Sequence, residues 1–216
     1  SISIALVLAL IGTPMVQAGA VDGERRAFDG GRNDDRMVND DDLAAWDWLA
    51  TQPAAWNGTI MGDPADGHSW AYAYNGLPTL SRHYLWPTGG LGSNMDITYW
   101  AAREIGEGLR GDPTAKNIVD EGAEALNIKF YMLSPGAFWP IQLERLQMQR
   151  GFWTSRGLTP VYRKGDVVIF AVNEQFTRAE LEGMIDDARS HGSDTLYQLE
   201  PANGGAGYAA GTAPLQ

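Results

Sequence analysis

The fold is decided by residues 40–84, which read DDDLAAWDWLATQPAAWNGTIMGDPADGHSWAYAYNGLPTLSRHY. Leu43, Trp46 and Leu49 recur at the spacing of one helix face, so the pattern predicts an amphipathic helix over 40–52. The aspartates that open this stretch suit the positive end of a helix dipole.

A short strand is predicted next, over residues 59–61, followed by an acidic turn over 62–68 and a second apolar segment over 77–80. Between the turn and that segment stand three aromatic residues, Trp70, Tyr72 and Tyr74. Ionisable and aromatic side chains that follow a strand occupy the place where α/β proteins bind ligands. We therefore expect the functional site here.

The rest of the chain alternates predicted helices with predicted strands. The helices are predicted over 93–111, 112–126, 139–150 and from 177 onward. The strands are predicted over 128–133, 158–162 and 167–172. This order predicts an α/β fold: a three-layer domain with a small mixed β-sheet flanked by helices, a closing β-hairpin and a C-terminal helix.

Local signals set several of these boundaries. Asp112 followed by Pro113 is typical of a helix start, and Gly151 is expected to end the helix before it. The turn residues 163–166 predict the hairpin. Thr177 and Glu180 form a capping box that opens the last helix.

Composition excludes several functional classes. The chain has 216 residues and a net charge of −11, which argues against nucleic acid or anionic lipid as a partner held by bulk charge. It contains no cysteine, so disulfides, zinc–thiolate sites, iron–sulfur clusters and thiol nucleophiles are excluded.

The first 19 residues carry no charge, close to the ~20 residues that cross a bilayer. We interpret residues 1–20 as the end of a transmembrane helix, with a signal-like segment or a buried core segment as alternatives. A polar linker over 21–39, an α/β domain over 40–200 and a flexible Gly/Ala-rich tail over 201–216 then follow. The first two interpretations place the domain on the extracytoplasmic side of the cell membrane.

The candidate ligand-binding residues of the acidic turn are Asp63, Asp66, Gly67 and His68, with His83 further along the chain. Two carboxylates and two imidazoles suit a divalent cation such as manganese or zinc, although their spacing matches no established metal motif. The favoured interpretation is that the aspartates accept hydrogen bonds from the backbone of the turn, without a cofactor.

The aromatic candidates, Trp70, Tyr72, Tyr74 and Trp86, suit stacking against sugar rings. In a strand, the alternation of the first three would place them on one face, whereas in a helix they would spread around the axis. Burial in the core is the equal alternative. The sequence contains no Gly-x-Ser-x-Gly nucleophile motif, and we assign no catalytic residue.

Several of these segments together resemble a known family. The motifs are Trp-Asp-Trp-Leu at 46–49, Gly-Thr-Ile-Met-Gly-Asp at 58–63, Asp-Gly-His-Ser-Trp at 66–70 and Asn-Gly-Leu-Pro at 75–78. In this order they resemble the soluble segment of multi-spanning membrane glycosyltransferases of the C-type fold, which use polyprenyl-phosphate-linked sugars. The strand at 127–131 and the hairpin at 160–170 agree with the carboxy-terminal domains of that family.

The resemblance implies a role but not a catalytic site. Oligosaccharyltransferase relatives bind the acceptor with a Trp-Trp-Asp-Tyr-Gly motif, of which this sequence keeps only Asp66 and Gly67. The family's catalytic carboxylates lie in loops between membrane helices that this chain does not contain. The resemblance therefore implies an accessory extracytoplasmic domain that positions a glycan or polyprenyl-linked acceptor in cell-envelope assembly. A secreted glycan- or protein-binding module and a metal-assisted hydrolase are the alternatives.

Overall fold

The computed structural model describes residues 38–82, 90–134, 143–194, 200–201 and 208–209. The predictions for residues 1–20, for most of the linker and for most of the tail lie outside these residues, as do His83 and Trp86. Within the described part of the chain, no helix is long and apolar enough to cross a membrane.

The described residues form helices and strands in the alternating order predicted from the sequence. The α-helices are α1 (Asp40–Thr51), α2 (Pro53–Trp56), α3 (Trp70–Asn75), α4 (Asn94–Trp100), α5 (Ile118–Ala125), α6 (Leu143–Thr154) and α7 (Arg178–Ser190). The strands are β1 (Thr59–Gly62), β2 (Ile128–Leu133), β3 (Leu158–Lys164), β4 (Val167–Val172), β5 (Glu200–Pro201) and β6 (Tyr208–Ala209).

Four strands form one mixed sheet in the order β1-β2-β4-β3. β1 and β2 are parallel, whereas β4 is antiparallel to both β2 and β3. The chain between β1 and β2 carries helices, as a parallel connection requires, and β3 and β4 form the predicted hairpin. The predicted α/β fold is confirmed.

Both faces of the sheet are buried, and this burial creates the three layers. In β4 every side chain is buried, because successive residues point to opposite faces and helices cover both. Val167, Ile169 and Ala171 join the cluster covered by α1 and α7. Val168, Phe170 and Val172 join the cluster covered by α4, α5 and α6.

Two capping boxes position the helices of the first layer. The Asn39 side chain accepts hydrogen bonds from the backbone N–H groups of Asp41 and Asp42, and the Asp42 carboxylate accepts one from the Asn39 N–H. The predicted box of Thr177 and Glu180 opens α7 in the same way. The beginnings of both helices are therefore fixed by local side-chain chemistry.

The helix predicted over 93–111 is wrong in length. α4 ends at Trp100, a single 3₁₀ turn follows at Ala102–Glu104, and Leu109 is exposed instead of facing inward. Gly106 and Gly108 both adopt a φ of 72°, a left-handed conformation that an α-helix cannot contain. These two glycines end the helical segment.

The helix predicted from Asp112 begins six residues later, at Ile118. Asp112 instead accepts hydrogen bonds from the backbone N–H and the hydroxyl of Thr114, which closes a local turn. The true N-cap is Asn117, whose side chain accepts from the backbone of Val119 and Asp120. Ile118, the first residue of α5, is exposed to solvent.

The helix predicted over 139–150 continues past its predicted end. Within the described residues it runs from Leu143 to Thr154, and Gly151 lies inside it instead of ending it, while residues 139–142 lie outside the described part of the chain. A Cβ at Gly151 would lie 3.1 Å from the Cβ of Arg103, so the absence of a side chain lets the two segments pack closely. The glycine thus serves packing between segments and not helix termination.

Candidate functional site

The acidic turn lies at the carboxyl end of β1, beside the carboxyl end of its parallel neighbour β2. On its other side, β1 is flanked by the apolar segment at 77–80, through a parallel bridge between Ile60 and Thr79. The Ile60 N–H donates to the Pro78 carbonyl at 3.1 Å, and the Leu80 N–H donates to the Ile60 carbonyl at 2.8 Å. The turn is therefore held between two neighbouring segments.

Asp66 joins the ends of the two parallel strands. Its carboxylate is buried and accepts a hydrogen bond from the backbone N–H of His68 at 3.2 Å. The other carboxylate oxygen accepts from the backbone N–H of Ser134, directly after β2, at 3.3 Å. The interpretation of Asp66 as a turn residue that bonds backbone N–H groups is confirmed by these contacts.

His68 is completely buried at the base of the turn, and its ring lies against Gly62. The ring Nε2 lies 3.4 Å from the Ile60 carbonyl oxygen, and among the described residues Nδ1 has no hydrogen-bond partner. Burial lowers the pKa of His68 from 6.5 to about 4, although the Ile60 carbonyl and the charge of Asp63 act in the opposite direction. His68 is therefore neutral at physiological pH.

Gly67 adopts a φ of 91°, which favours glycine between Asp66 and His68. Asp63 is also buried. Among the described residues, no three His, Asp or Glu side chains are arranged to hold a metal ion, and His83 lies outside those residues. The divalent-cation alternative stays a prediction from the sequence.

Trp70, Tyr72 and Tyr74 belong to helix α3, so their placement on one face of a strand is wrong. Their burial in the core is also wrong, because the three residues are 52%, 43% and 51% exposed. The backbone of the turn starts the helix: the N–H groups of Trp70 and Ala71 donate to the carbonyls of Gly67 and His68. α3 ends at Gly76, which adopts a left-handed φ of 78°.

Two charged residues flank these aromatics, and we call the set of Trp70, Tyr72, Tyr74, Asp47 and Arg82 the aromatic surface. The Tyr74 hydroxyl lies 3.5 Å from an Asp47 carboxylate oxygen, and the charge of Asp47 raises the pKa of Tyr74. The Arg82 guanidinium lies over the Tyr72 ring, 4.3 Å from its centroid.

The base beneath the aromatic surface is buried and packed. Ala71 is buried in the cluster that includes Trp46, and the Trp46 and Tyr74 rings lie 5.8 Å apart. The Asn75 side chain donates to the Trp46 carbonyl at 3.1 Å. Helix α3 is thus attached to α1 through both apolar and polar contacts.

The structure divides the candidates of residues 62–74 into two groups. Asp63, Asp66 and His68 are buried under the turn, whereas Trp70, Tyr72 and Tyr74 face solvent. The sequence prediction missed Asp47 and Arg82. Asp47 stands between two tryptophans that are buried in α1, and it is exposed. Its only sequence signal is the helical periodicity, which places it off the apolar face.

Comparison with known proteins places the chain in a family. The model of a family of unknown function (DUF6541) matches residues 2–174, so the chain belongs to that family. No curated protein and no solved structure matches the chain.

Proposed function

We propose that this member of the DUF6541 family contributes an accessory, non-catalytic domain that binds a glycan, or the glycan of a lipid-linked acceptor, on the aromatic surface. The observation that carries the proposal is the exposure of three large aromatic side chains on a helix of six residues that buries only Ala71. Exposed aromatic clusters of this kind mark binding sites, because apolar surface left in water is costly.

The chemistry of the surface suits a sugar. The faces of aromatic rings contact the apolar C–H faces of sugar rings, and a polar handle at the ring edge bonds the hydroxyl groups. Here the Tyr74 hydroxyl and the Asp47 carboxylate supply a donor and an acceptor side by side.

The surface is also preorganised. The contacts of Tyr74 and Asn75 with Trp46 fix α3 to α1, and Asp66 fixes the preceding turn to the end of β2. A binding site whose backbone is already ordered loses less conformational entropy when the ligand binds.

The cellular setting of the proposal rests on the sequence. The uncharged residues 1–19 favour a membrane segment that places the domain outside the cytoplasm, as part of a polytopic membrane protein. The order of motifs over 46–78, similar to C-type glycosyltransferases, favours a role in cell-envelope assembly in which this domain positions the acceptor.

The test is a binding titration of the full chain against an array of oligosaccharides, followed by Kd values for the bound members. We expect W70A and Y74A each to weaken binding about tenfold, or about 1.4 kcal/mol, as central aromatic contacts do. The matched control is W100A, which removes an exposed tryptophan from α4 on the opposite layer of the domain.

Absence of binding to every member of the array would contradict the proposal. An equal loss of affinity in W100A would also contradict it, because the effect would then not belong to the aromatic surface. Thermal unfolding of each variant separates loss of binding from loss of folding.

A further inference from the structure

The aromatic surface has opposite charges on its two sides. Trp70 and Tyr74 are four residues apart in α3 and lie about 40° apart around the helix axis, whereas Tyr72 lies about 160° from each of them. The Asp47 carboxylate lies beside the Tyr74 hydroxyl, and the Arg82 guanidinium lies over the Tyr72 ring. One side of the helix therefore presents hydrogen-bond acceptors and the other presents a fixed cation.

Arg82 is available to bind an anion. Its side chain is exposed, and in the described part of the chain no carboxylate pairs with it. Some other cations of the described residues have acidic partners, as in the pairs Lys116–Glu174, Arg178–Glu182 and Arg189–Asp186. Arg163 and Lys164 instead donate to backbone carbonyls, so Arg82 is distinguished by its position beside the exposed aromatic rings. The guanidinium lies over the Tyr72 ring, and a guanidinium group can donate to two oxygens of a carboxylate or phosphate at once.

The net negative charge of the chain gives the position of Arg82 a consequence for the charge of the ligand. With 27 acidic and 16 basic residues, the protein repels anions in general. An anionic ligand would bind only where a local cation offsets that repulsion, so a cation beside the exposed aromatics selects for such a ligand.

We propose, as an extension of the proposed function and resting on it, that the aromatic surface binds an acidic glycan in one orientation. The carboxylate or phosphate group of the glycan bonds Arg82, and the hydroxyl groups of a neighbouring sugar bond Asp47 and Tyr74. Tyr72 contacts the sugar on the Arg82 side of α3, and Trp70 and Tyr74 contact the sugar on the Asp47 side.

The experiment compares the full chain with its R82Q and D47N variants on one array that carries acidic oligosaccharides beside their neutral counterparts. The pairs include trigalacturonate with its methyl ester, and mannose oligosaccharides with and without a 6-phosphate, so that carboxylate and phosphate are distinguished. We expect the wild-type chain to bind acidic members at least tenfold more tightly than their neutral counterparts. R82Q should abolish that preference, so that the acidic and neutral members of each pair bind it with equal affinity.

D47N is the matched control, since it removes a charge that flanks α3 on the side opposite to Arg82. D47N should weaken the binding of acidic and neutral members by the same factor, because the sugar hydroxyl groups that bond the Asp47 carboxylate are common to both. Raising the salt concentration should weaken binding of acidic members to the wild-type chain and not to R82Q.

The outcomes separate the two proposals. If the chain binds glycans but the members of each pair bind equally, or if R82Q keeps the preference for acidic members, the inference about Arg82 is wrong while the proposed function stands. If no glycan binds, the proposed function itself fails. Equal thermal midpoints of R82Q and the wild-type chain confirm that a lost preference is not a folding defect.

Discussion

Protonation of His68 should make the stability of this domain depend on pH. The imidazole is completely buried against Gly62, its pKa lies at about 4 in the folded chain, and the same group has a pKa of 6.5 when exposed to water. Between these two values, the unfolded chain binds a proton that the folded chain does not bind. Lowering the pH through this window therefore favours unfolding, and the stability is lost as the pH falls from about 6.5 towards 4.

The size of the effect follows from the two pKa values. They differ by about 2.5, which corresponds to about 3 kcal/mol of unfolding free energy lost once the pH is well below 4. By the same linkage relation, about 2 kcal/mol of it is lost between pH 7.5 and pH 5.0. That share is large beside a total stability of about 5–15 kcal/mol for a typical domain.

The assay is urea unfolding followed by tryptophan fluorescence at pH 7.5, 6.0 and 5.0, for the wild-type chain and for H68Q. The glutamine amide replaces the Nε2 donor near the Ile60 carbonyl and does not titrate, so H68Q should lose about 2 kcal/mol less than the wild-type chain between pH 7.5 and 5.0. The matched control is H191Q, which removes an exposed imidazole at the end of α7. An equal loss in H68Q and in the wild-type chain would refute the reasoning.

Two further predictions concern the same turn and use unfolding free energies as the readout. G62A should destabilise the chain by about 1–3 kcal/mol, because its Cβ would lie 2.7 Å from the Cγ of the His68 ring. G183A should instead stabilise the chain by about 0.5–1 kcal/mol, because a Cβ added at this interior position of α7 would meet no atom of another segment within 4 Å. A loss of stability in G183A would contradict the packing argument. D66N should lower the free energy of unfolding by about 1–3 kcal/mol. The Asp66 carboxylate accepts hydrogen bonds from two backbone N–H groups, and in the variant one of these groups would face the amide NH₂ donor. S134A should cost less than D66N or nothing. The Ser134 hydroxyl is buried and has no hydrogen-bond partner in the described part of the chain, while the backbone N–H of residue 134 keeps its bond to Asp66. A cost equal to that of D66N would contradict this assignment.

Elements with one strong local signal could be predicted from the sequence. The largely apolar run of β2, interrupted only by Lys129, predicts a strand, and the structure confirms the strand over the predicted residues with most of its side chains buried. The capping box at Thr177 predicted the start of α7, and the structure buries Leu181, Met184, Ile185 and Ala188 of that helix. These signals are sufficient because both the apolar pattern and the cap act within a few residues of the chain.

The errors occurred where two local interpretations competed. Asp112 with Pro113 suits a helix start and also a turn, and the contacts with Thr114 and the true cap at Asn117 decide for the turn. Gly151 suits a helix end, yet close approach of Arg103 explains its place inside α6. The capping box of Asn117 and Asp120 is also a local signal, and the residues around Asp112 do not decide between the two. The packing partner of Gly151 cannot be identified from its neighbours in sequence.

The candidate site divides in the same way. The sequence by itself determined that acidic, imidazole and aromatic groups follow the first strand, because that order is written in residues 59–74. Only the tertiary structure decided which of them face solvent. Asp66 is buried because Ser134, 68 residues away, brings its N–H to the carboxylate, and Trp70 and Tyr74 are exposed because α3 rests on α1 through Ala71 and Asn75. Burial depends on contacts between residues distant in sequence, and those contacts form only when the layers pack.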